Sequence, residues 1–383
     1  MRQTWLFKDF FNSEKAGGLT LVCCTVISLI IANSSLGPGY HHFWETQFQG
    51  HSIEYWINDG LMTIFFLLIG LELERELYKG ELSNIKDALL PAFAAMGGML
   101  VPAALFLLFN MGTATRSGAG IPMATDIAFA LGILSLLGNK VPTSLKVFLT
   151  ALAVIDDLGA ILIIAIFYTK ALLWTNLFIA LGIFAVLLIL NRLKVKNLLP
   201  YISGGIAMWY FMLHSGVHAT ITGVLLAFAI PFGNGEERSG SFILQRFLHK
   251  PVAFIILPVF ALANTAIYVT GNIAATLTEN YSIGIALGLI VGKPLGIFAF
   301  TLLAQKLGLC KLPADVNWTS IFGAGLLGGI GFTMSIFITL LAFDSDTIIN
   351  NAKLVILISS LIAGLAGFLI LSATLKTVDE PAE

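Results

Sequence analysis

The chain has 383 residues, of which 57% are hydrophobic and only 11% charged, with a formal net charge of -1 and a mean hydropathy of +0.90. Soluble domains carry about 25% charged residues, so a water-soluble globular protein is excluded. No basic tail or basic helix face is present, which excludes nucleic acid as a partner.

Runs of about 20 apolar residues recur along the whole length, each long enough to cross a bilayer. In chain order they predict twelve spans, roughly 14–33, 56–78, 88–109, 122–138, 142–168, 174–191, 200–213, 217–231, 251–269, 282–304, 318–341 and 351–374. Backbone groups in lipid must pair internally, and the runs lack period-two alternation, so the spans are helices rather than barrel strands. Spans 200–213 and 217–231 are short, and are expected to lie tilted together or to be buried by neighbours. The first run has no small-residue cleavage site behind it and is read as a retained first helix. Trp5–Phe11 reads either as a small interfacial helix or as an unstructured end, His41–Tyr55 either as a short hairpin or as an ordinary loop, and Asp379–Glu383 as a solvated tail. Cys23, Cys24 and Cys310 form no disulfide framework and read as small buried hydrophobes.

Lys and Arg fix the orientation. With both termini in the cytoplasm, the inner segments hold Arg2, Lys8, Lys15, Arg75, Lys79, Lys86, Lys140, Lys146, Arg192, Lys194, Lys196, Arg238, Arg246, Lys250, Lys306, Lys311 and Lys376, seventeen of the 21 basic residues. The outer side holds Arg116, Lys170 and Lys353, and Lys293 lies inside a span.

Four charged residues fall where lipid or a packed bundle surrounds them: Asp126, Asp156, Asp157 and Lys293. A charge at the bilayer centre costs at least about 2.5–3.5 kcal/mol on insertion scales, so the default reading of such a group is functional. A buried ion pair that only fixes helix packing accounts for one carboxylate and the amine. Two negative charges are left over, and a site left negative invites a cation or protons. Asp156 and Asp157 stand side by side in LAVIDDLGAILIIA. Helix neighbours point about 100° apart, so one can face a water-filled funnel while the other meets a partner helix. Groups this close titrate as a coupled set. Sodium and lithium want hard oxygen ligands, and a carboxylate holds either the ion or a proton, which is enough to couple the two fluxes.

Asp126 sits in GAGIPMATDIAFALG, where Gly118, Gly120 and Pro122 make a poor helix and a broken span is expected. GAGLLGGIGFTMSIF supplies a second weak point at Gly328, Gly329 and Gly331. Broken helices expose dipole ends inside the membrane, positive at N-termini and negative at C-termini. Asp126 is suited to balance two N-terminal ends and Lys293 two C-terminal ends. The alternative is that these glycines only permit close helix packing. Residues 88–168 and 282–374 each form a triplet with the weak span in the middle, in opposite topology, the inverted-repeat pattern of secondary transporters with the site at mid-membrane.

These segments resemble the NhaA family of bacterial sodium/proton antiporters over nearly the full length. The resemblance is carried by WINDGLMTIFFLLIGLELERE (Trp56–Glu76), IPMATDIAFALG (Ile121–Gly132), ALAVIDDLGAI (Ala151–Ile161), SGVHAT (Ser215–Thr220), GKPLGI (Gly292–Ile297) and GGIGFTMSIFI (Gly328–Ile338). The family is one of the cases from which the inverted-repeat rule is drawn, so the repeat is not independent support. The resemblance implies an all-α membrane protein, a single polytopic domain over 1–383, with twelve transmembrane helices, an inverted-topology repeat and two crossing, interrupted helices, here spans four and eleven. It implies Asp157 as principal ligand of Na+ or Li+ and proton carrier, Asp156 as the partner of Lys293 in exchanging protons, and Thr125 and Asp126 at the interruption, with Asp126 tuning affinity. Asp59 is implied to be structural or at the outer mouth. Glu72, Arg75 and Glu76 match the cytoplasmic mouth associated with pH sensing, and His218 matches a histidine linked to pH response. A lone histidine beside His214 also reads as an ordinary hydrogen-bonded core residue. Two departures stand out. Gln245 and Arg246 occupy the place of an expected Glu–His pair, so the steepness and midpoint of pH activation are not carried over. The outer loop before Trp56 is shorter than the family's dimerisation hairpin.

The implied activity is electrogenic, pH-regulated exchange of Na+ or Li+ for H+ by alternating access, in a homodimer of the bacterial inner membrane, with no cofactor and no enzymatic reaction. An intramembrane aspartyl protease also needs two carboxylates, but on facing helices and with a GxGD-type motif, and no Asp follows the glycines of 328–331. A channel does not need a buried lysine, and a site for an organic solute calls for more polar or aromatic lining than is visible.

Overall fold

The computed structural model describes residues 2–169, 172–233, 239–268 and 273–375, without the side chains of residues 2–14, Glu81 and Ile85. The expected tail 379–383, and Lys170, Arg238 and Lys376 of the charge census, lie outside the described residues. Among the described residues the regular structure is helical apart from a two-residue-per-strand antiparallel hairpin, Gln47–Phe48 with His51–Ser52. Its turn runs through Gln49 and Gly50, both at positive φ (49° and 85°), the backbone that a tight two-residue hairpin requires. The segment 41–55 is therefore the end of a helix, Gly37–Glu45, followed by the hairpin. Trp5–Phe11 belongs to the continuous helix Arg2–Ala32.

Among the described residues nine helices are long and apolar enough to cross a membrane, or ten when the bent pair Trp318–Gly328 and Phe332–Ala342 is taken as one span. The sequence predicts twelve. The difference lies in spans seven and eight, which form helices of 15 residues (Leu199–Leu213) and nine residues (Ile221–Ala229). At about 1.5 Å per residue these fall short of a hydrocarbon core about 30 Å thick. Lys353, expected in an outer loop, is buried inside the Asp346–Thr374 helix, which begins at Asp346, ahead of the apolar run.

The chain divides into two compact units. One comprises residues 1–23, 84–160 and 267–383. It contains two runs of the same order: a long helix, an interrupted span, a long helix. The first is Ile85–Asn110, Ala114–Leu136 and the part of Thr143–Phe167 up to Ala160; the second is Asn280–Lys306, the bent pair, and Asp346–Thr374. The first long helices of the two runs pack backbone to backbone, since a Cβ at Gly97 would meet the Gly296 carbonyl and a Cβ at Gly296 the Gly97 carbonyl. The other unit comprises residues 24–83 and 161–266. Its centre is Ile53–Tyr78 against Ile221–Ala229, where Gly70 approaches Val224 and Ala227, and Gly223 approaches the Thr63 carbonyl. Small residues at such crossings let helices gain dispersion contact where lipid offers no hydrophobic driving force between them.

Candidate functional site

Both interruptions occur where the sequence weakens the helix. The fourth span starts as a 3-10 helix, Ala114–Met123, in which Pro122 lacks an N–H and biases Ile121 away from helical backbone. Ala124 and Asp126 are extended (φ/ψ -74°/149° and -85°/96°), and an α-helix restarts at Ile127–Leu136. The second break falls between Gly328 and Phe332, with a bend of 47°. Glycine does more there than loosen the helix, because a Cβ at Gly329 would strike the Leu289 carbonyl. Interruption and close packing are both observed, so the two sequence readings of these glycines are not exclusive.

The breaks face each other and join through the backbone, Asp126 N donating to Ile330 O at 2.7 Å. Irregular backbone at membrane depth is tolerated only where protein or water satisfies it, and here the orphaned groups are matched from nearby side chains. Asp126 occupies the N-cap of Ile127–Leu136, its Oδ1 accepting from Phe129 N at 3.0 Å. Its Oδ2 accepts from Thr333 N at 3.0 Å and from the Thr333 hydroxyl, in the first turn of Phe332–Ala342. One carboxylate thus caps two helix N-termini, as the sequence leads one to expect. Ser360 Oγ accepts from Phe332 N at 3.1 Å. At the C-terminal ends the outcome differs from expectation. Lys293 Nζ donates to one end only, the Met123 carbonyl. The other, the Gly328 carbonyl, lies 2.9 Å from the Thr125 hydroxyl.

Asp156 and Asp157 lie midway along Thr143–Phe167, and both are buried. Asp156 Oδ2 accepts from Lys293 Nζ at 2.5 Å and lies 2.6 Å from Thr125 Oγ1. Asp157, about 100° further round the helix, is coupled to Lys293 electrostatically. Lys293 follows a single π-helical turn, Gly288–Gly292, in the middle of Asn280–Lys306; such turns re-aim side chains and recur at functional sites. The structure therefore brings Thr125, Asp126, Asp156, Asp157 and Lys293 into one buried cluster. Three carboxylates against one ammonium give it a formal charge of -2. Within it Asp126 is turned to the two helix ends, and among the described residues no three His, Cys, Asp or Glu side chains converge as a metal-binding group. Lys293→Met is expected to destabilise the folded protein by roughly 3–5 kcal/mol, the cost of breaking a desolvated ion pair from one side. Thermal unfolding of the detergent-solubilised protein reads this directly, and an unchanged midpoint would count against the pair.

The residues matched to pH sensing belong to the other unit and do not stand together. Glu72, Arg75 and Glu76 occupy the last turns of Ile53–Tyr78; Arg75 is exposed, its guanidinium 5.9 Å from the Phe242 ring centroid. His218 accompanies the opposite end of that span. Its Nε2 lies 3.0 Å from Tyr168 O, and it stands near enough to Asp59 to act on it electrostatically; Asp59 is hydrogen-bonded to Tyr55. Asp59 sits in a second π-helical turn, Ile57–Leu61. His218 is therefore separated from the Glu72–Glu76 group by most of the span's length.

Sequence reasoning missed one buried carboxylate, Glu74, which is 3% exposed and accepts from the Ser241 hydroxyl at 3.1 Å. In the string ELERELYKG it reads as one more charge at a solvated helix end. The available signal was spacing. Glu74 is four residues beyond Gly70, so it lies on the helix face that Gly70 buries.

The family model described as Na+/H+ antiporter 1 matches residues 8–371. The chain is 74% identical to the Na(+)/H(+) antiporter NhaA of Flavobacterium psychrophilum, covering 98% of both chains. It is 64% identical to Na(+)/H(+) antiporter NhaA 1 of Flavobacterium johnsoniae, over 98% of this chain and 99% of the relative. It is 59% identical to the Na(+)/H(+) antiporter NhaA of Dechloromonas aromatica, over 96% and 95%.

Proposed function

The chain belongs to the Na+/H+ antiporter 1 family, and from that premise we propose that it exchanges Na+ or Li+ for H+ across the bacterial inner membrane at the cluster of Asp156, Asp157, Asp126, Thr125 and Lys293. The observation that carries this reading is the excess of negative charge: a buried group of formal charge -2, set where two interrupted helices meet. Such a group is stable only when it holds protons or a cation.

In this reading Asp157 is the principal cation ligand. It is buried beside the Asp156–Lys293 pair, and a carboxylate supplies the hard oxygen that Na+ and Li+ require. Asp156 and Lys293 exchange protons as the cation arrives. Thr125 holds the Asp156 oxygen in place, and Asp126 tunes affinity through the helix ends it caps. From the cytoplasm, Na+ displaces protons from the carboxylates; the site then opens outward, and protons displace the cation. An inward proton gradient expels sodium. More protons than cations move per cycle, so exchange is electrogenic. The two runs of unit one act as an inverted repeat, the short helices Leu199–Leu213 and Ile221–Ala229 complete twelve crossings together with the non-helical residues that flank them, both termini are cytoplasmic, and the protein works as a homodimer in the lipid bilayer. Glu72, Arg75 and Glu76 regulate it with pH at the inner mouth. His218 contributes to regulation from the other end of the same helix.

Everted vesicles carrying a pH-gradient dye test the activity. Addition of Na+ or Li+ at alkaline pH is expected to dequench the dye, and K+ is not. Absence of a sodium response would overturn the reading.

A further inference from the structure

Glu74 belongs to a second place built for a cation. It lines a cavity of about 530 Å³ together with Tyr78, Lys79, Asn191, Phe228 and Phe232, all within the second unit. Three helices end around it: Ile53–Tyr78, Trp174–Arg192, with Asn191 in its last turn, and Ile221–Ala229, with Phe228 in its last turn. Each presents the negative end of its dipole. The Glu74 carboxyl accepts from the neutral Ser241 hydroxyl and, when ionised, adds a negative charge, the form that an ammonium beside it favours. The Tyr78 and Phe232 rings stand 5.1 Å apart, tilted by 40°. Aromatic faces beside a carboxylate favour an ammonium group over a strongly hydrated metal ion. Lys79 brings a positive charge to the rim of the same cavity and is exposed. The cavity thus offers one negative and one positive partner side by side, a match for a zwitterion.

Its position selects the source. The three helix ends mark one boundary of the apolar layer, and Tyr78 is 62% exposed there, where interfacial aromatics gather. Val186 and Ile189 of Trp174–Arg192, and Leu193 just beyond it, are each more than half exposed, so the flank beside Asn191 is open to lipid. We propose that this cavity binds the headgroup of a phosphatidylethanolamine-type lipid, with the ammonium on Glu74 against the Tyr78 and Phe232 rings and the phosphate on Lys79.

Native mass spectrometry of the full-length protein, released from vesicles of equal phosphatidylethanolamine and phosphatidylglycerol, tests this. The parent protein is expected to retain the ethanolamine lipid about tenfold over the glycerol lipid. Glu74→Gln keeps the size of the side chain and its bond to Ser241, and is expected to lose that preference while eluting as a single species with an unchanged unfolding midpoint. Lys79→Gln, at an exposed position, is expected to weaken retention severalfold and keeps the test open should the buried substitution fail to fold. Equal retention of the two lipids by the parent, or unaltered preference in a folded Glu74→Gln or Lys79→Gln protein, overturns the proposal. Displacement of the lipid by soluble phosphoethanolamine at equal concentration overturns the lipid source. None of these readouts depends on transport, so their failure is separate from failure of the antiport reading.

Discussion

Asp157→Asn is expected to abolish sodium-dependent proton exchange while leaving a folded protein. The amide is nearly isosteric with the carboxylate, so packing along Thr143–Phe167 is preserved. What changes is charge: the cluster falls from a formal -2 to -1, and the remaining carboxylates are engaged by Lys293, Thr125 and two helix N-termini. A desolvated ion pair that loses one partner loses roughly 2–5 kcal/mol, which is about 30-fold to several thousand-fold in affinity. The amide also cannot carry a proton at any working pH, so a cation that still bound would have nothing to exchange with. Proteoliposomes with an imposed pH gradient measure the rate, and normal sodium exchange by the variant would show that the ligand is misassigned.

The second large effect concerns stability rather than transport. Asp126→Ala is expected to destabilise the protein by about 3 kcal/mol or more, because hydrogen bonds to a charged acceptor contribute roughly 1.5–3 kcal/mol each. Three donors lose their acceptor at once: Phe129 N, Thr333 N and the Thr333 hydroxyl. Water in the hydrocarbon region does not replace them. Asp126→Asn retains one acceptor oxygen but turns an amide NH2, itself a donor, toward a donor, so an intermediate loss is expected. Thermal unfolding in detergent ranks the three proteins. If Asp126→Ala melts with the parent, the double cap is not what holds the breaks together.

The cluster was legible in sequence because each of its charged members violates a strong rule: a charge in an apolar run has to be explained. Its internal wiring was less so. Asp126 at two helix N-termini follows from dipole arithmetic, but the same arithmetic assigned both C-terminal ends to Lys293. A hydroxyl as plain as Thr125 takes one of them, and hydroxyls occur throughout apolar helices without signalling a role. Glu74 was hidden for the opposite reason, since it stands in a charged string whose other members are at least partly exposed. The hairpin after Gly37–Glu45 was legible as a possibility in its polar–apolar alternation, whereas span count was not: the apolar runs at 200–213 and 217–231 stand out as short, but not as helices of only 15 and nine residues. The distance between His218 and the Glu72–Glu76 group is a tertiary fact with no local signature.

The bonds from Asp126 to Thr333 reach across 207 residues of sequence. Ribosomes add about 5–20 residues per second, so the first interruption is made some 10–40 s before the residues that satisfy it exist. During that interval the extended segment at Ala124–Asp126, with its carboxylate, is in or near the membrane without its native partners. Insertion of the first run must therefore be provisional, with the fourth span held at a water-lined or protein-lined edge until Phe332–Ala342 arrives. Biogenesis, rather than the finished fold, is where substitutions at Thr333 or Ile330 are most exposed to quality control.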